Sequence, residues 1–493
     1  MKLTELLKNI DTLKIENNSG NAEIISVEYD SRKVVKNSLF VAIKGFKTDG
    51  HLFIEKAIEN GASAVVLEDE NTDIAGLLKS TGTAGIKVSD SRKSMAQISD
   101  YFYGHPSRKM KLVGVTGTKG KTTTTFYIKS IFENAGFKCG LIGTIENYIG
   151  EKAVKALLTT PQSNEINELM YEMVNEGCKY CVMEVSSVAA DLSRVDYLDF
   201  DYGVFTNITS DHMDYHKTFG HYLASKKKFF DTLKPEAKVI ANIEDPHWRE
   251  MTEDTKARVF TYGKSDSADF AIENIHIDFS GTTYSINQKN NGKLNISTNL
   301  AGLFNAYNST AAFTIGKFED LSDEKIKEGI ASLQSVPGRF EVINHKSKTV
   351  IVDYSHTSDS LEQVLNSIRI INGGKKQIVT VFGCGGDRDK TKRPVMGEIA
   401  ARLSDYAIVT SDNPRTENPF EILEEVKKGI KTGNYEVIEN RDQAIRQAIF
   451  NSEESAVILI AGKGHENYQE INGVKSYFSD KDTAEKYLKE WQN

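Results

Sequence analysis

Apolar residues along the chain fall into short continuous runs, separated by stretches in which they recur at helical spacing. Continuous runs of about four to eight residues read as strands buried on both faces, and helical spacing reads as an amphipathic helix. The central pair is Lys111 to Gly136, KLVGVTGTKGKTTTTFYIKSIFENAG. Lys111 to Val115 predicts a strand, and Tyr127, Ile128, Ile131, Phe132 and Ala135 predict a helix that Gly136 stops. Further strands are predicted at Tyr180 to Val185, Tyr202 to Ile208, Thr349 to Tyr354, Gln377 to Phe382 and Tyr406 to Thr410. Helical patterns cover Ser163 to Glu176 and Tyr222 to Phe230. Ahead of these, Ala22 to Val27, Ser38 to Ile43, Ala64 to Leu67 and Ile86 to Val88 are strand-like, and Phe53 to Asn60 and Ser94 to Phe102 helical. Strands alternating with helices imply parallel sheets and an α/β fold.

With 493 residues and a prior of about 150 per domain, three domains are expected. Their bounds are read as 1–107, 108–336 and 337–493, with His105-Pro106-Ser107-Arg108 as the first linker. Hydrophobic residues at 39% and charged ones at 26% argue for folded domains rather than disorder. A net charge of −8 argues against general nucleic-acid affinity while leaving room for a local basic patch that receives an anion. No run of about eighteen apolar residues occurs and the N-terminus is charged throughout, so neither a membrane span nor a signal peptide is expected and the chain reads as cytoplasmic. The four cysteines include one isolated CxxC, Cys178 and Cys181, and read as free thiols.

The loop between the central strand and helix has the chemistry of a phosphate site. Gly117 and Gly120 let the backbone turn with its N–H groups inward, Lys121 brings a charge to the β/γ-phosphates, and Thr122 offers a hydroxyl to Mg²⁺ at a helix N-terminus. The spacing is irregular, with five residues between Gly114 and Gly120 and two between Gly117 and Gly120. Glu184 interrupts an otherwise apolar strand, so a cation must meet it: Mg²⁺ beside the loop, or a buried Arg or Lys. Thr209 to His216, with two acids and two histidines, suits an ion or phosphate site, fits no common zinc spacing, and is also a string of turn and cap residues. On pattern alone Lys226, Lys227 and Lys228 are a solvated face. Ser31 and Arg32 can bind a phosphate or sugar hydroxyl or cap a turn, and Gly45 to His51 forms a loop able to approach a ligand.

Taken together, TGTKGKTT (116–123), LTTP (158–161), MEVSS (183–187), TNITSDHMDYH (206–216), HYLASK (221–226), NLAGLFNAYN (299–308), PGRFEV (337–342), DYSHT (353–357), GCGGDRDKTKRPVMG (383–397), SDNPRTENP (411–419) and AGKGHENYQ (461–469) resemble the Mur ligases in order and over nearly the full chain. The likeness is greatest to members that add a diamino acid in peptidoglycan synthesis. It implies a uridine-nucleotide domain, a central P-loop ATPase domain with a parallel sheet, and a C-terminal Rossmann-like domain that brings the amino acid. By the same resemblance Gly117, Thr118, Lys119, Gly120, Lys121, Thr122, Thr123, Asn305, Arg339, Asp353 and His356 would frame ATP. Ser31, Arg32, Thr159, Thr160, Ser186 and Arg194 would hold UDP-MurNAc-L-Ala-D-Glu. Thr122, Glu184, His212 and Lys226 would hold Mg²⁺, the lysine as a CO₂-derived carbamate; Lys121, Lys226 and His212 are the catalytic candidates. Carbamylation needs a neutral amine, which Lys227 and Lys228 would favour if close.

Arg388, Asp412, Asn413, Pro414, Arg415, Gly462 and Glu466 would bind the incoming amino acid. An arginine fork grips a carboxylate, and the string DNPR accompanies meso-diaminopimelate in the family, so Arg415 with Glu466 would read a distal zwitterion. The chain departs from the family at Val188, where His is usual, and at Ser355 and Ser358 within DYAHTPD. The expected activity is ATP-dependent amide formation through an acyl phosphate by a monomer, with closure of the C-terminal domain excluding water. Alternatives are lysine or lanthionine as acceptor, a folylpolyglutamate-synthetase-like ligase, and a nucleotide-gated binding protein without catalysis.

Overall fold

Two strand glycines set the packing of the central sheet. A Cβ on Gly114 would stand 2.5 Å from Phe229 Cζ, and one on Gly203 3.2 Å from Phe230, so only bare backbone admits these rings against the strands. The computed structural model describes residues 1–10, 12–17, 22–46, 48–68, 72–289 and 292–491; Lys47 of the 45–51 loop lies outside the described residues. The chain divides into two compact units, Met1–Asp269 with Thr314–Leu321, and Phe270–Phe313 with Ser322–Asn493.

The first unit holds two sheets. The N-terminal one orders Lys14–Glu16, Ala84–Lys87, Ala62–Leu67, Ser38–Val41 and Ser26–Glu28, parallel except for its first strand. The expected strand from Ala22 is shorter because Ile24 exchanges hydrogen bonds with Met1 (2.7 and 2.9 Å) instead of joining the sheet. The helix Thr72–Thr81 has no counterpart in the sequence pattern, since Gly76, Ser80 and Thr81 dilute its helical preference; it is held by Leu78, buried against Gly85. In the second sheet Arg258–Gly263, Lys238–Asn242, Tyr202–Phe205, Lys111–Thr116, Tyr180–Glu184 and Cys139–Ile142 run parallel in that order. The strand that feeds the phosphate loop is therefore interior, with Tyr202–Phe205 and Tyr180–Glu184 on its two sides. Phe132 of the following helix stacks on Tyr180 with ring centroids 3.7 Å apart.

The second unit has an antiparallel trio, Phe270–Asp278, Gly281–Gln288 and Gly292–Thr298. It also has a six-stranded sheet ordered Glu341–His345, Lys348–Asp353, Val457–Ala461, Ile378–Phe382, Tyr406–Val409 and Tyr435–Val437, parallel except for the first strand. A hairpin, Tyr468–Ile471 with Val474–Tyr477, follows the Val457–Ala461 strand. The three α/β parts agree with the fold class expected from the pattern of runs. Among the described residues no helix is long and apolar enough to cross a membrane.

Candidate active-site residues in each unit

The phosphate loop is built by the neighbouring strand end as much as by its own glycines. A Cβ on Gly117, at φ +145°, would meet Thr206 Oγ1 at 2.0 Å, and Gly120 sits at φ +85° just ahead of the helix Lys121–Asn134. Asn207 receives the Thr118 N–H on its carbonyl (2.8 Å) and the Lys119 N–H on Oδ1 (3.0 Å), and its amide donates to Lys119 O (3.0 Å). Two loop N–H groups therefore turn toward Asn207 rather than inward, which corrects the expectation; the donors of Thr122 and Thr123 precede the intrahelical ladder, whose Thr124 N–H bonds Gly120 O at 2.9 Å. Lys121 Nζ donates to the carbonyls of Gly117 (2.8 Å) and Thr118 (2.9 Å).

Glu184 is 1% exposed and its carboxylate accepts from Thr122 Oγ1 (3.0 Å), Thr144 N–H (2.9 Å) and Thr144 Oγ1 (3.0 Å). No Lys or Arg pairs with it among the described residues, which disposes of the buried-ion-pair reading. A Cβ on Gly143 would stand 2.6 Å from Glu184 Oε1, so a glycine there lets Thr144 reach the carboxylate. A buried, hydroxyl-ringed carboxylate against a phosphate-loop threonine is a donor set that fits Mg²⁺.

Lys226 is not on a solvated face. It lies on the buried stripe of the helix Phe219–Asp231 with Tyr222, Phe229 and Phe230, is 2% exposed, and donates to the same Gly117 carbonyl at 2.8 Å. Burial first, and the Lys121 ammonium next, hold its pKa well below the ordinary lysine value against the pull of Asp211. Lys227 and Lys228 do not set this shift: Lys227 pairs with Asp231 (2.9 Å) and Asp254, Lys228 with Ser193 (3.2 Å) and Asp196 (3.9 Å). His212, at φ 55°, is exposed ahead of the turn Met213–His216, 3.9 Å from Asp211 and with its ring 6.4 Å from Tyr222.

Thr159, Thr160, Ser186 and Arg194 converge. Thr144 Oγ1, which donates to Glu184, lies 3.1 Å from Thr159 Oγ1, Thr160 Oγ1 donates to Glu184 O (2.7 Å) and lies 3.2 Å from Ser186 Oγ, and Arg194 Nη1 donates to Thr160 O (2.9 Å). Arg194 Nε is buried without a partner, and burial, then Arg92, lowers the guanidinium pKa. Arg92, which sequence reasoning missed, donates to Lys44 O (2.8 Å) of the 45–51 loop margin and lies 6.0 Å over Phe46. Ser31 is buried, and Asn60 Nδ2 donates to its carbonyl (2.8 Å). Arg32 stands apart, exposed and forked onto Asp30 (2.7 and 2.9 Å).

In the second unit the candidates gather at the C-terminal ends of four parallel strands, the usual place for ligands in such sheets. Lys463, fully buried, joins them: its ammonium donates to Asn413 Oδ1 (3.1 Å) and lies 3.5 Å from Glu466 and 3.6 Å from Asp412. Asn413 Nδ2 donates to Glu466 Oε2 (2.8 Å), and Tyr354 OH to Glu466 Oε1 (3.4 Å). Gly462, at φ +121°, would bring a Cβ within 3.2 Å of Asp412 Oδ2. Arg415 takes a left-handed backbone (φ 54°) after Pro414 and donates Nη1 to Gly386 O (2.7 Å); Gly386 itself packs under Pro414 O. The exposed Arg388 flanks the same Gly385–Gly386 turn. Arg339 lies 4.9 Å over the Tyr354 ring with a buried, unpartnered Nε. Asp353 accepts from Phe340 N–H (2.7 Å) and the Ser355 hydroxyl, and burial raises its pKa. His356 is exposed, with Nδ1 donating to Tyr354 O (2.9 Å). Asn305, in the first turn of the helix Leu303–Phe318, donates to Ala301 O (3.0 Å) just ahead of it and accepts from Asn308 (3.2 Å). Lys463 and Asn207 lie inside strings with evident chemistry, so the signal was position beside a candidate; Arg92 carried none.

Comparison with known proteins covers the same stretches. The Mur ligase family catalytic domain matches residues 23–103, the Mur ligase middle domain 115–316, and the Mur ligase glutamate ligase domain 338–464. A UDP-N-acetylmuramoyl-L-alanyl-D-glutamate--2,6-diaminopimelate ligase of Clostridium acetobutylicum is 43% identical over 491 residues, 99% of each chain. The enzyme of the same name from Clostridioides difficile is 42% identical over 494 residues, again 99% of each. A solved ligase of that name superposes with a TM-score of 0.69 at 28% identity, covering 100% of this chain and 99% of its own. A folylpolyglutamate synthase from Thermotoga maritima shares the fold alone, with a TM-score of 0.59 at 17% identity over 74% of this chain and 89% of its own. On full-length identity and three ordered domain matches, this chain belongs to the Mur ligase family.

Proposed function

We propose that this chain is an ATP-dependent ligase that joins meso-diaminopimelate to the D-glutamate carboxylate of UDP-MurNAc-L-Ala-D-Glu, a step of peptidoglycan synthesis. The near-full-length relatives are named as ligases of UDP-N-acetylmuramoyl-L-alanyl-D-glutamate and 2,6-diaminopimelate, which supports this reading. The observation that carries the mechanism is the phosphate loop whose Gly117 carbonyl takes both Lys121 and a buried Lys226 whose pKa is held well below the ordinary lysine value. Nucleotide hydrolysis alone has no need of a second, buried lysine with a lowered pKa there.

A carboxylate oxygen of the substrate attacks the γ-phosphorus, the bond to the β-phosphate oxygen breaks, and ADP leaves an acyl phosphate. The amine nitrogen then attacks the acyl carbon, phosphate leaves, and one amine proton is lost. Lys121 offsets the charge that gathers on the transferred group. Thr122 and Glu184 would hold Mg²⁺, which when bound supplies further charge neutralisation. The lowered pKa of Lys226 favours the neutral amine, the form that adds CO₂ with release of a proton, and the resulting anionic carbamate would join the metal's ligands with His212. Arg194 and Arg92 offer converging positive charge to the substrate diphosphate, beside Thr159, Thr160 and Ser186.

On the acceptor side, Arg415 keeps a fork for a distal carboxylate and Glu466 an acid for the distal ammonium, with Lys463 and Asn413 fixing Glu466 in place. Fixed position is what lets such a pair discriminate by charge. The test is phosphate release from ATP with the muramyl dipeptide precursor, offered diaminopimelate, lysine and lanthionine separately. Diaminopimelate is expected to turn over fastest; lysine in its place would refute the role of Arg415, and nucleotide binding without substrate-dependent release would refute ligation.

A further inference from the structure

Three residues that the mechanism does not use converge in the first unit. One ligand-type atom each from Asp191, His216 and His221 lies within 4.8 Å of the others. They come from the helix Ser187–Asp191, the turn Met213–His216 and the helix Phe219–Asp231. The hydrogen bonds around them leave lone pairs facing inward. His221 Nδ1 is 3.0 Å from the His216 carbonyl, which can only accept, so the proton sits on Nδ1 and Nε2 faces Asp191 Oδ1 at 3.4 Å. The Ser225 hydroxyl spends its one hydrogen on His221 O (2.7 Å), and so does not serve Asp191 Oδ1 or His216 Nδ1, each 3.4 Å away.

Each of the three also has an outer partner that fixes it. Tyr215 OH donates to Asp191 Oδ2 (2.6 Å), His221 is oriented by the His216 carbonyl, and His216 Nε2 meets Ser187 Oγ at 2.9 Å. Ligands of structural and catalytic metal sites are held in this manner. Ligand atoms about 2.0–2.1 Å from a tetrahedral ion lie about 3.3 Å apart, close to the His221–Asp191 separation. Asp191 and His221 are partly exposed, which gives an entry path and room for a water as fourth ligand.

We propose that Asp191, His216 and His221 form a site for a divalent transition metal of the Zn²⁺ or Co²⁺ kind. Two imidazole nitrogens and one carboxylate favour such ions over Mg²⁺, which prefers oxygen. The ion cross-links the helix that carries Lys226, the turn after His212 and the segment after Glu184.

The test is a Co²⁺ titration of the chelator-treated full chain in excess Mg²⁺, followed by visible absorption and by metal content. The site predicts one equivalent of Co²⁺ with the intense visible bands of four-coordinate cobalt, and competition by Zn²⁺ but not by Mg²⁺. His221→Ala and Asp191→Asn, both on partly exposed side chains, each weaken binding tenfold or more, and Tyr215→Phe weakens it by roughly tenfold through the lost outer contact. His247→Ala, a surface histidine paired with Glu250, leaves it unchanged. Absence of the bands, or an unaltered Co²⁺ affinity in His221→Ala, overturns the site and leaves His221 and Asp191 as a polar pair beside a buried His216.

Discussion

Lys226 and Lys121 donate to one carbonyl oxygen, and two ammonium groups cannot both stay charged there at low cost. Burial first, and the Lys121 ammonium next, lower the Lys226 pKa in the folded state, so the unfolded chain binds more protons from the depressed folded pKa up to the ordinary lysine value. Stability contributed at this position rises with pH across that window. Lys226→Met is expected to be more stable than the parent at pH 7, with the difference shrinking toward pH 10, in urea unfolding at both pH values; a pH-independent difference would contradict the lowered pKa of Lys226. The same variant and Lys121→Ala are each expected to lose ligation by phosphate release while retaining the fold by circular dichroism. Arg415→Lys keeps the charge and loses the planar fork. It should raise KM for diaminopimelate at least tenfold and leave KM for ATP near the parent value, and equal KM values for diaminopimelate in parent and variant would remove Arg415 from the site.

Elements hold these residues in place through their ends. The hairpin Tyr468–Ile471 with Val474–Tyr477 turns at Asn472 and Gly473, both at positive φ, the turn chemistry that favours a tight hairpin. Its tip clamps the Arg415 backbone: Arg415 N–H donates to Glu470 O (3.0 Å), and Asn472 N–H donates to Arg415 O (2.6 Å). Gly473→Val strains that turn and is expected to raise KM for diaminopimelate several-fold with little change in KM for ATP, measured in the same phosphate assay. Arg441, fully buried with Asp480 (2.7 and 2.8 Å), also donates to Ala461 O (3.0 Å) and Ser411 O (3.4 Å), tying the ends of two strands that lead into the acceptor cluster. Arg441→Met leaves Asp480 buried and unpaired, and should cost about 3–5 kcal/mol in denaturant unfolding. Sequence pattern located the strands behind both clusters, Val457–Ala461 excepted, because a run buried on two faces is apolar throughout. It did not locate Thr72–Thr81, whose helix depends on the burial of Leu78.

At the scale of the molecule, the uridine-nucleotide candidates lie in the first unit and the amino-acid candidates in the second. A ligand that binds one folded unit stabilises that unit by mass action, by about 2.7 kcal/mol at a hundredfold excess over Kd. Scanning calorimetry with the muramyl dipeptide precursor should raise the transition of the first unit, and diaminopimelate that of the second; one ligand moving both transitions equally would contradict the assignment of binding residues to separate units. The motifs of the phosphate loop, MEVSS, DNPR and GKGHE were legible in the amino-acid sequence, because each packs several chemically committed residues into a few positions. Apolar runs also determined the α/β class and the strands ahead of the phosphate loop, MEVSS and DNPR, while the strand Val457–Ala461 ahead of GKGHE came from the structure. Only the tertiary structure decided which neighbours act on them: that Asn207 consumes two loop donors, that Glu184 meets hydroxyls rather than a cationic side chain, and that burial and Lys121, not Lys227 or Lys228, lower the Lys226 pKa. The physical reason is that a motif is set by residues adjacent in sequence, whereas burial and electrostatic pairing depend on distance in space, and the chain brings together partners as far apart in sequence as Gly117 and Lys226.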